Sequence, residues 1–244
     1  MNETLKAIHS LKSTHGNFSS REISEDDLKL ILEASVQAAT ASSCQNYSII
    51  VIDDKAVMKE YLDYAGSKAL VFCVDFTRLA DLAKFLDHEY YCGGLPDFIT
   101  SATDTALAAQ TAAVAANSLG IDSLFTNSVH RKDLDKLYQK LKLPSKLCFP
   151  LISLILGYST DKSQPKKGRL KGPGVIHYGE YHRLDTDELE KMTNQYDDPE
   201  MKMGFTPNES YKRYLDWFFC FWCSQFKDYT EEITAMLKKT DILK

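Results

Sequence analysis

The chain has 244 residues, 44% of them hydrophobic, enough to bury one large core or two small ones, and a single domain is the default reading. Its 29 basic and 34 acidic residues leave a net charge of −5, which argues against bulk attraction to nucleic acid or to an anionic membrane, so any anion site must be local. The opening Met1-Asn2-Glu3-Thr4-Leu5-Lys6 lacks the apolar core of a signal peptide, and no apolar run approaches the roughly 18 residues of a spanning helix.

A soluble cytoplasmic protein is therefore expected. The six cysteines, at 44, 73, 92, 148, 220 and 223, stand in apolar surroundings and read as buried thiols of a reducing compartment rather than as a disulfide framework.

In chain order, residues 2–12 read as a helix, and Ser24 is placed to cap a second one with Asp27 at its third position and Glu25 and Asp26 in its first turn. A Ser/Thr/Ala-rich stretch, Ala39-Thr40-Ala41-Ser42-Ser43-Cys44-Gln45-Asn46, ends that helix. Strands are predicted at Tyr47–Ile52, Ala69–Phe76, Ser123–Thr126 and Leu151–Gly157, each short, β-branched or aromatic, and apolar almost throughout. Continuous apolar character means both faces are covered, so the strands belong to a central sheet between helices. Thr103–Leu119 carries seven alanines and reads as the buried central helix, stopped by Gly120; residues 132–142 form a shorter helix that ends before Pro144. Residues 159–175 read as a loop and 184–205 as polar and partly helical. Tyr211–Leu243 reads as one long aromatic helix with Trp217, Trp222 and Phe226, which must pack on the body or on a second subunit.

Two distant segments carry the chemistry: the Ser/Thr/Ala stretch and the basic cluster Lys166-Lys167-Gly168-Arg169. Neither shows a Ser/His/Asp, metal-ligand or Walker pattern. Together they suit a protein that holds a phosphorylated cofactor and lets the cofactor react.

The order Lys12-Ser13-Thr14-His15-Gly16-Asn17-Phe18, Ile23-Ser24, helix, Ser42-Ser43-Cys44-Gln45-Asn46-Tyr47-Ser48, alanine-rich helix, Lys142-Leu143-Pro144, Leu156-Gly157-Tyr158 and Lys167-Gly168-Arg169-Leu170 resembles the FMN-dependent nitroreductase family, over about residues 5–180. It is most similar to the branch of NAD(P)H:flavin oxidoreductases and oxygen-insensitive nitroreductases. The resemblance implies an α+β fold with a mostly antiparallel sheet flanked by helices, an intertwined homodimer with FMN at the subunit interface, and residues 181–244 as a C-terminal extension that packs in the dimer.

The same resemblance assigns Lys12 and Ser13, with Lys167 and Arg169, to the FMN phosphate, where charge-assisted bonds suit a dianion. His15 stands where the family carries Arg or Lys toward the flavin pyrimidine edge, so its charge there is partial near neutral pH. Thr40, Ala41, Ser42 and Ser43, with Gln45, correspond to the small polar run that the partner subunit offers to the ring. Asn127 and Ser128 replace a Gly-Gly turn near flavin N5, with asparagine expected to supply a positive φ. Leu11 replaces a polar contact, and the short passage from Tyr64-Ala65-Gly66 to the second strand lacks another.

Other groups have plainer readings. Cys220-Phe221-Trp222-Cys223 reads as core packing, His88, His177 and His182 as surface or hydrogen-bonded histidines, and Tyr90, Tyr91 and Phe98 as a loop able to cap a flavin. The function expected is an FMN-dependent oxidoreductase that passes hydride from NADH or NADPH by a ping-pong route to nitroaromatics, quinones or flavins, with no side chain acting as nucleophile. Alternatives are a different flavin-dependent reductase on the same scaffold, acting on C=C bonds or carbon–halogen bonds, a flavin-binding sensor or storage module, and a structural dimer without flavin.

Overall fold

The computed structural model describes residues 1–161, 166–201, 210–223 and 229–243. These fall in two compact units, Met1–Lys162 with Glu231–Lys244, and Ser163–Thr230. Residues 162–165 of the expected loop, 202–205 of the polar segment, and 224–228 with Phe226 lie outside the described residues.

The first unit is built on four strands, β1 (Tyr47–Ile52), β2 (Lys68–Asp75), β3 (Asp122–Thr126) and β4 (Cys148–Gly157), in the order β1-β2-β4-β3 with every pairing antiparallel. All four expected strands are present. β4 begins three residues earlier than expected. Pro150 lacks an N–H for a ladder, but here it sits at the register shift opposite Phe72 and Cys73, beyond the last β3 pair at Ser153.

β2 is the reason the sheet is two-sided. Its apolar residues alternate, Ala69, Val71 and Cys73 facing one core and Leu70 and Phe72 the other, all fully buried. On the first face lie α3 (Lys55–Leu62), α6 (Leu134–Leu141) and α9 (Thr230–Lys239), through Met58, Leu62, Leu137, Met236 and Leu237. On the second lie α2 (Glu25–Ser35) and α5 (Leu95–Ser118), where Ile31 meets Ala108, Ala109, Ala112, Ala113 and Ala116. Alanine permits an approach so close that the Ser35 hydroxyl donates to the Ala108 carbonyl oxygen of the neighbouring helix at 2.9 Å. The remaining helices of this unit are α1 (Glu3–Ser10) and α4 (Thr77–Phe85). Ser24 caps α2 as expected, accepting from the Asp27 N–H at 3.0 Å.

Several expectations are corrected. α5 starts eight residues before Thr103, because Pro96 falls in the first turn, where a missing N–H costs nothing. Phe98 therefore belongs to a helix, edge-on to Phe149 with ring centroids 6.3 Å apart, and only Tyr91 of the three expected capping rings is largely exposed. α3 and α4 were not foreseen; α3 is opened by Asp54, which accepts from the Ala56 and Val57 N–H groups. The C-terminal segment is not one helix: α8 (Tyr214–Cys220) and α9 are separate among the described residues, and α9 returns to the core of its own chain.

The second unit holds α7 (Thr186–Asp197), opened by a reciprocal capping box of Asp185 and Glu188, and α8. Tyr214 stacks on Tyr196 at 6.0 Å and leans on Trp217 at 5.6 Å. Cys220 is exposed and Cys223 half-buried, so this pair is not core; Cys73, Cys92 and Cys148 are buried and all six are free thiols. The Cys148 thiol beside Cys73 and the burial of both hold the Cys73 thiol well above its ordinary pKa, inert toward nucleophilic chemistry. His182 bonds Glu188 at 2.8 Å and His177 at 3.1 Å, the hydrogen-bonded role expected of these histidines. Among the described residues no helix is long and apolar enough to cross a membrane, and no group of three or more His, Cys, Asp and Glu is placed to hold a metal ion.

Candidate functional site

The Ser/Thr/Ala stretch forms a short, strained loop. Ser42, Ser43 and Gln45 all take positive φ, at 50°, 56° and 47°. Left-handed backbone costs a side-chain-bearing residue about 1 kcal/mol or more, so three such residues in four positions require support. Asp104 of α5 supplies part of it. This carboxylate, 4% exposed in a helix whose other buried residues are mostly alanine, accepts from the Thr40 hydroxyl at 2.6 Å and from the Ala41 N–H at 3.1 and 3.0 Å. Hydrogen bonds to a charged group are each worth about 1.5–3 kcal/mol, enough to offset the strain. The Thr40 oxygen in turn accepts from the Gln45 N–H at 2.9 Å.

Arg78 of α4 holds the opposite side, donating to the Cys44 carbonyl oxygen at 3.1 Å and to that of Gln45. Within this loop the Thr40 hydroxyl is spent internally, and the Gln45 amide donates to the Val36 carbonyl oxygen at 3.3 Å and toward the Tyr47 hydroxyl at 3.4 Å. Ala41, Ser42 and Ser43 are left exposed. Beside them opens a cleft of about 510 Å³ lined by Leu32, Val36, Gln45, Tyr47, Ser48, Ile49 and Arg78.

Lys12, Ser13 and His15 lie together on an extended segment bound to β3. Ser13 bridges Ser123 in parallel register, and the Thr14 N–H donates to the Ser123 carbonyl oxygen at 2.9 Å. The Lys12 ammonium stands 3.9 Å from Asp122, whose other oxygen accepts from the Ser159 N–H at 2.9 Å; this loose pair leaves the lysine half-buried with capacity for another anion. Ser13 and His15 are exposed. Close packing marks the chain on either side of this segment. A Cβ on Gly66 would stand 2.3 Å from the Leu156 carbonyl oxygen, and one on Gly157 would meet the Phe18 ring at 2.8 Å.

The turn after β3 is joined to this segment through the end of α3. His15 lies edge-on to Tyr64, ring centroids 6.4 Å apart, and the neighbouring Asp63 bonds Lys132 and the Ser128 hydroxyl. Burial alone would raise the Asp63 carboxyl, but Lys132, Ser128 and Arg131 outweigh it and hold the group below its ordinary pKa. Asn127 has φ −99°, so the positive φ expected of it is not used: the turn proceeds as a 3-10 turn over Ser128–Arg131, which any residue can open. Behind it His130 stacks on Phe149, centroids 5.4 Å apart, and bonds the Pro150 carbonyl oxygen at 2.8 Å. Burial lowers its pKa, and the bond to Pro150 only partly opposes this.

Lys167 and Arg169 belong to the second unit. Both are exposed, the Arg169 guanidinium donates to the Lys167 and Gly168 carbonyl oxygens at 3.1 and 2.8 Å, and the Gly168 N–H donates to Met201 at 2.6 Å. Asp104, Arg78, Asp63, Tyr64 and Asp122 were missed from sequence. Only Asp104 left a signal there, as a lone carboxylate inside an alanine-rich helix.

Most of the chain is similar to known proteins. It is 31% identical over 209 residues to the FMN reductase (NAD(P)H) of Bacillus subtilis, 81% of each chain, and 31% identical over 188 residues to an NADPH-dependent oxidoreductase of Staphylococcus aureus, 73% of this chain and 72% of that one. Among solved structures, that of the B. subtilis nitroreductase NfrA1 superposes with a TM-score of 0.82 at 25% identity, covering 97% of this chain and 98% of the other. No family model matches the chain.

Proposed function

The chain belongs to the FMN-dependent nitroreductase family, and from that premise we propose that it binds FMN and acts as an NAD(P)H-dependent oxidoreductase. The observation that carries this reading is the strapped Thr40–Gln45 loop, whose left-handed backbone and small exposed side chains suit close approach by a flat ring. The donor set fits the rest of the cofactor. Lys12 and Ser13 of the first unit present an ammonium and a hydroxyl suited to a phosphate. His15, exposed beside Tyr64, would serve the pyrimidine edge, and the turn at Asn127 and Ser128 would serve the ring by its backbone, since the Ser128 side chain is buried against Thr126.

When bound, FMN supplies the redox chemistry, taking hydride from NADH or NADPH and passing it to a nitroaromatic, a quinone or a flavin in the same place. The protein orients the ring and the nicotinamide, excludes water and supplies positive charge; no side chain acts as nucleophile. The active form in this proposal is a cytoplasmic homodimer with FMN at the subunit interface. Exposed Leu82, Phe85, Leu86, Leu95 and Ile99 in the first unit support a partner surface, and free thiols suit a reducing compartment.

The visible absorption spectrum of the purified protein, with FMN added and then NADH or NADPH under anaerobic conditions, tests this directly. Bound yellow flavin that bleaches with either nicotinamide is the expected result. A protein that takes up no FMN overturns the cofactor, and bound flavin that neither nicotinamide bleaches overturns the reductase.

A further inference from the structure

We propose that Asp104 is a positioning residue for the flavin, acting through Thr40 to hold the Thr40–Gln45 loop in its binding conformation; this rests on the function proposed above. A carboxylate that is 4% exposed on an alanine-lined helix pays a large desolvation cost unless its oxygens are bonded, and here both are spent on this loop. The direction of the bonds is dictated by chemistry. An ionised carboxylate only accepts, so the single Thr40 hydroxyl proton goes to Asp104, and the Thr40 oxygen is free to accept from the Gln45 N–H at 2.9 Å.

This relay, Gln45 to Thr40 to Asp104, closes the loop on itself. Inside it lie Ser42, Ser43 and Gln45, all left-handed. Without the carboxylate the Thr40 hydroxyl turns to another acceptor, the Gln45 N–H loses its fixed partner, and the three residues relax toward the ordinary right-handed or extended regions. The flavin ring would then have to reorder the loop on binding, and the observed affinity would be multiplied by the fraction of molecules still holding the competent shape.

The experiment is fluorescence titration of the flavin-free full-length protein with FMN and, separately, with riboflavin, for the wild type, Asp104→Ala, Thr40→Val and Thr40→Ser. A loop that spends about a tenth of its time in the competent shape gives about a tenfold higher Kd. That rise is expected for Asp104→Ala and for Thr40→Val, by the same factor for FMN and riboflavin, because the loop holds the ring and not the phosphate. Thr40→Ser keeps the hydroxyl and should bind like wild type. The double variant should be no weaker than the weaker single one, since both break one relay. Thr40→Val leaves the carboxylate in place and carries the test alone if Asp104→Ala does not fold.

The inference is overturned if Thr40→Val binds flavin as tightly as wild type, or if Thr40→Ser loses as much as Thr40→Val. A wild-type protein that takes up no FMN sinks the functional proposal and this one together; a wild type that binds, with variants that bind equally well, sinks this one alone.

Discussion

Between Thr40 and Gln45 the chain is held from both sides, with Asp104 taking hydrogens and Arg78 donating them, and three residues with side chains are kept left-handed. Between Lys12 and His15 the chain is simply extended, fastened to β3 by the bridge at Ser13, and its polar side chains are exposed or half-buried. The first region achieves shape by internal bonding and leaves little charge outward. The second does the reverse, with an ammonium only loosely paired to Asp122 and an imidazole against Tyr64. A ring needs close backbone contact and a phosphate needs charge, so under the proposed function the two regions would divide the recognition of one cofactor between geometry and electrostatics.

The largest effect should come from removing charge. Lys12→Ala is expected to weaken FMN binding by about 10- to 100-fold, the worth of one charge-assisted bond, while leaving riboflavin binding unchanged. Parallel titrations with the two flavins check this, and an equal loss for both would place Lys12 on the ring side of the division. Added salt should erode the preference of the wild type for FMN over riboflavin in the same direction.

A smaller effect concerns the backing of the turn after β3. His130 is held neutral, burial pushing its folded pKa below the ordinary value. The stability it contributes is therefore present above about pH 6.5 and is lost as pH falls through the lowered folded pKa, with a slope of at most about 1.4 kcal/mol per pH unit. His130→Gln, which keeps a donor for the Pro150 carbonyl oxygen, should flatten that acid limb in urea unfolding measured between about pH 7 and pH 5. An unchanged slope would mean that another group titrates.

The smallest effect probes the strain itself. Ser43→Gly removes the penalty of a left-handed serine but enlarges the freedom of the unfolded chain, so a net change within about 0.5 kcal/mol is expected. Thermal unfolding of the flavin-free protein measures it. A large destabilisation would mean that the Ser43 side chain, rather than the strapping by Asp104 and Arg78, holds the loop.

Much of the fold was legible because it is written in local patterns. Tyr47–Ile52, the buried alanines of α5 and the Ser24 cap follow from periodicity, side-chain size and hydrogen-bonding capacity over a few residues, and those forces act the same way in any tertiary context. α5 and β4 begin earlier than their apolar patterns suggest, and Pro96 and Pro150 are tolerated there because a helix's first turn and a strand at a register shift do not need their N–H. The aromatic C-terminal run read as one helix because side-chain type does not record where a chain turns back to its core, as α9 does with Met236 and Leu237 and the residues after it do with Ile242.

The sequence by itself determined the chemical materials: small residues before Tyr47, a Lys-Ser pair after the first helix, a basic cluster after the last strand, and an apolar β2 that demands cover on both faces. Only the tertiary structure decided their use. It brought Asp104 across 64 positions to Thr40, turned Arg78 onto the other side of the same loop, and set His15 against Tyr64 and Asp63 against Ser128. Such pairings join residues far apart in the chain, and their free energy depends on a burial and a backbone geometry that no local pattern encodes.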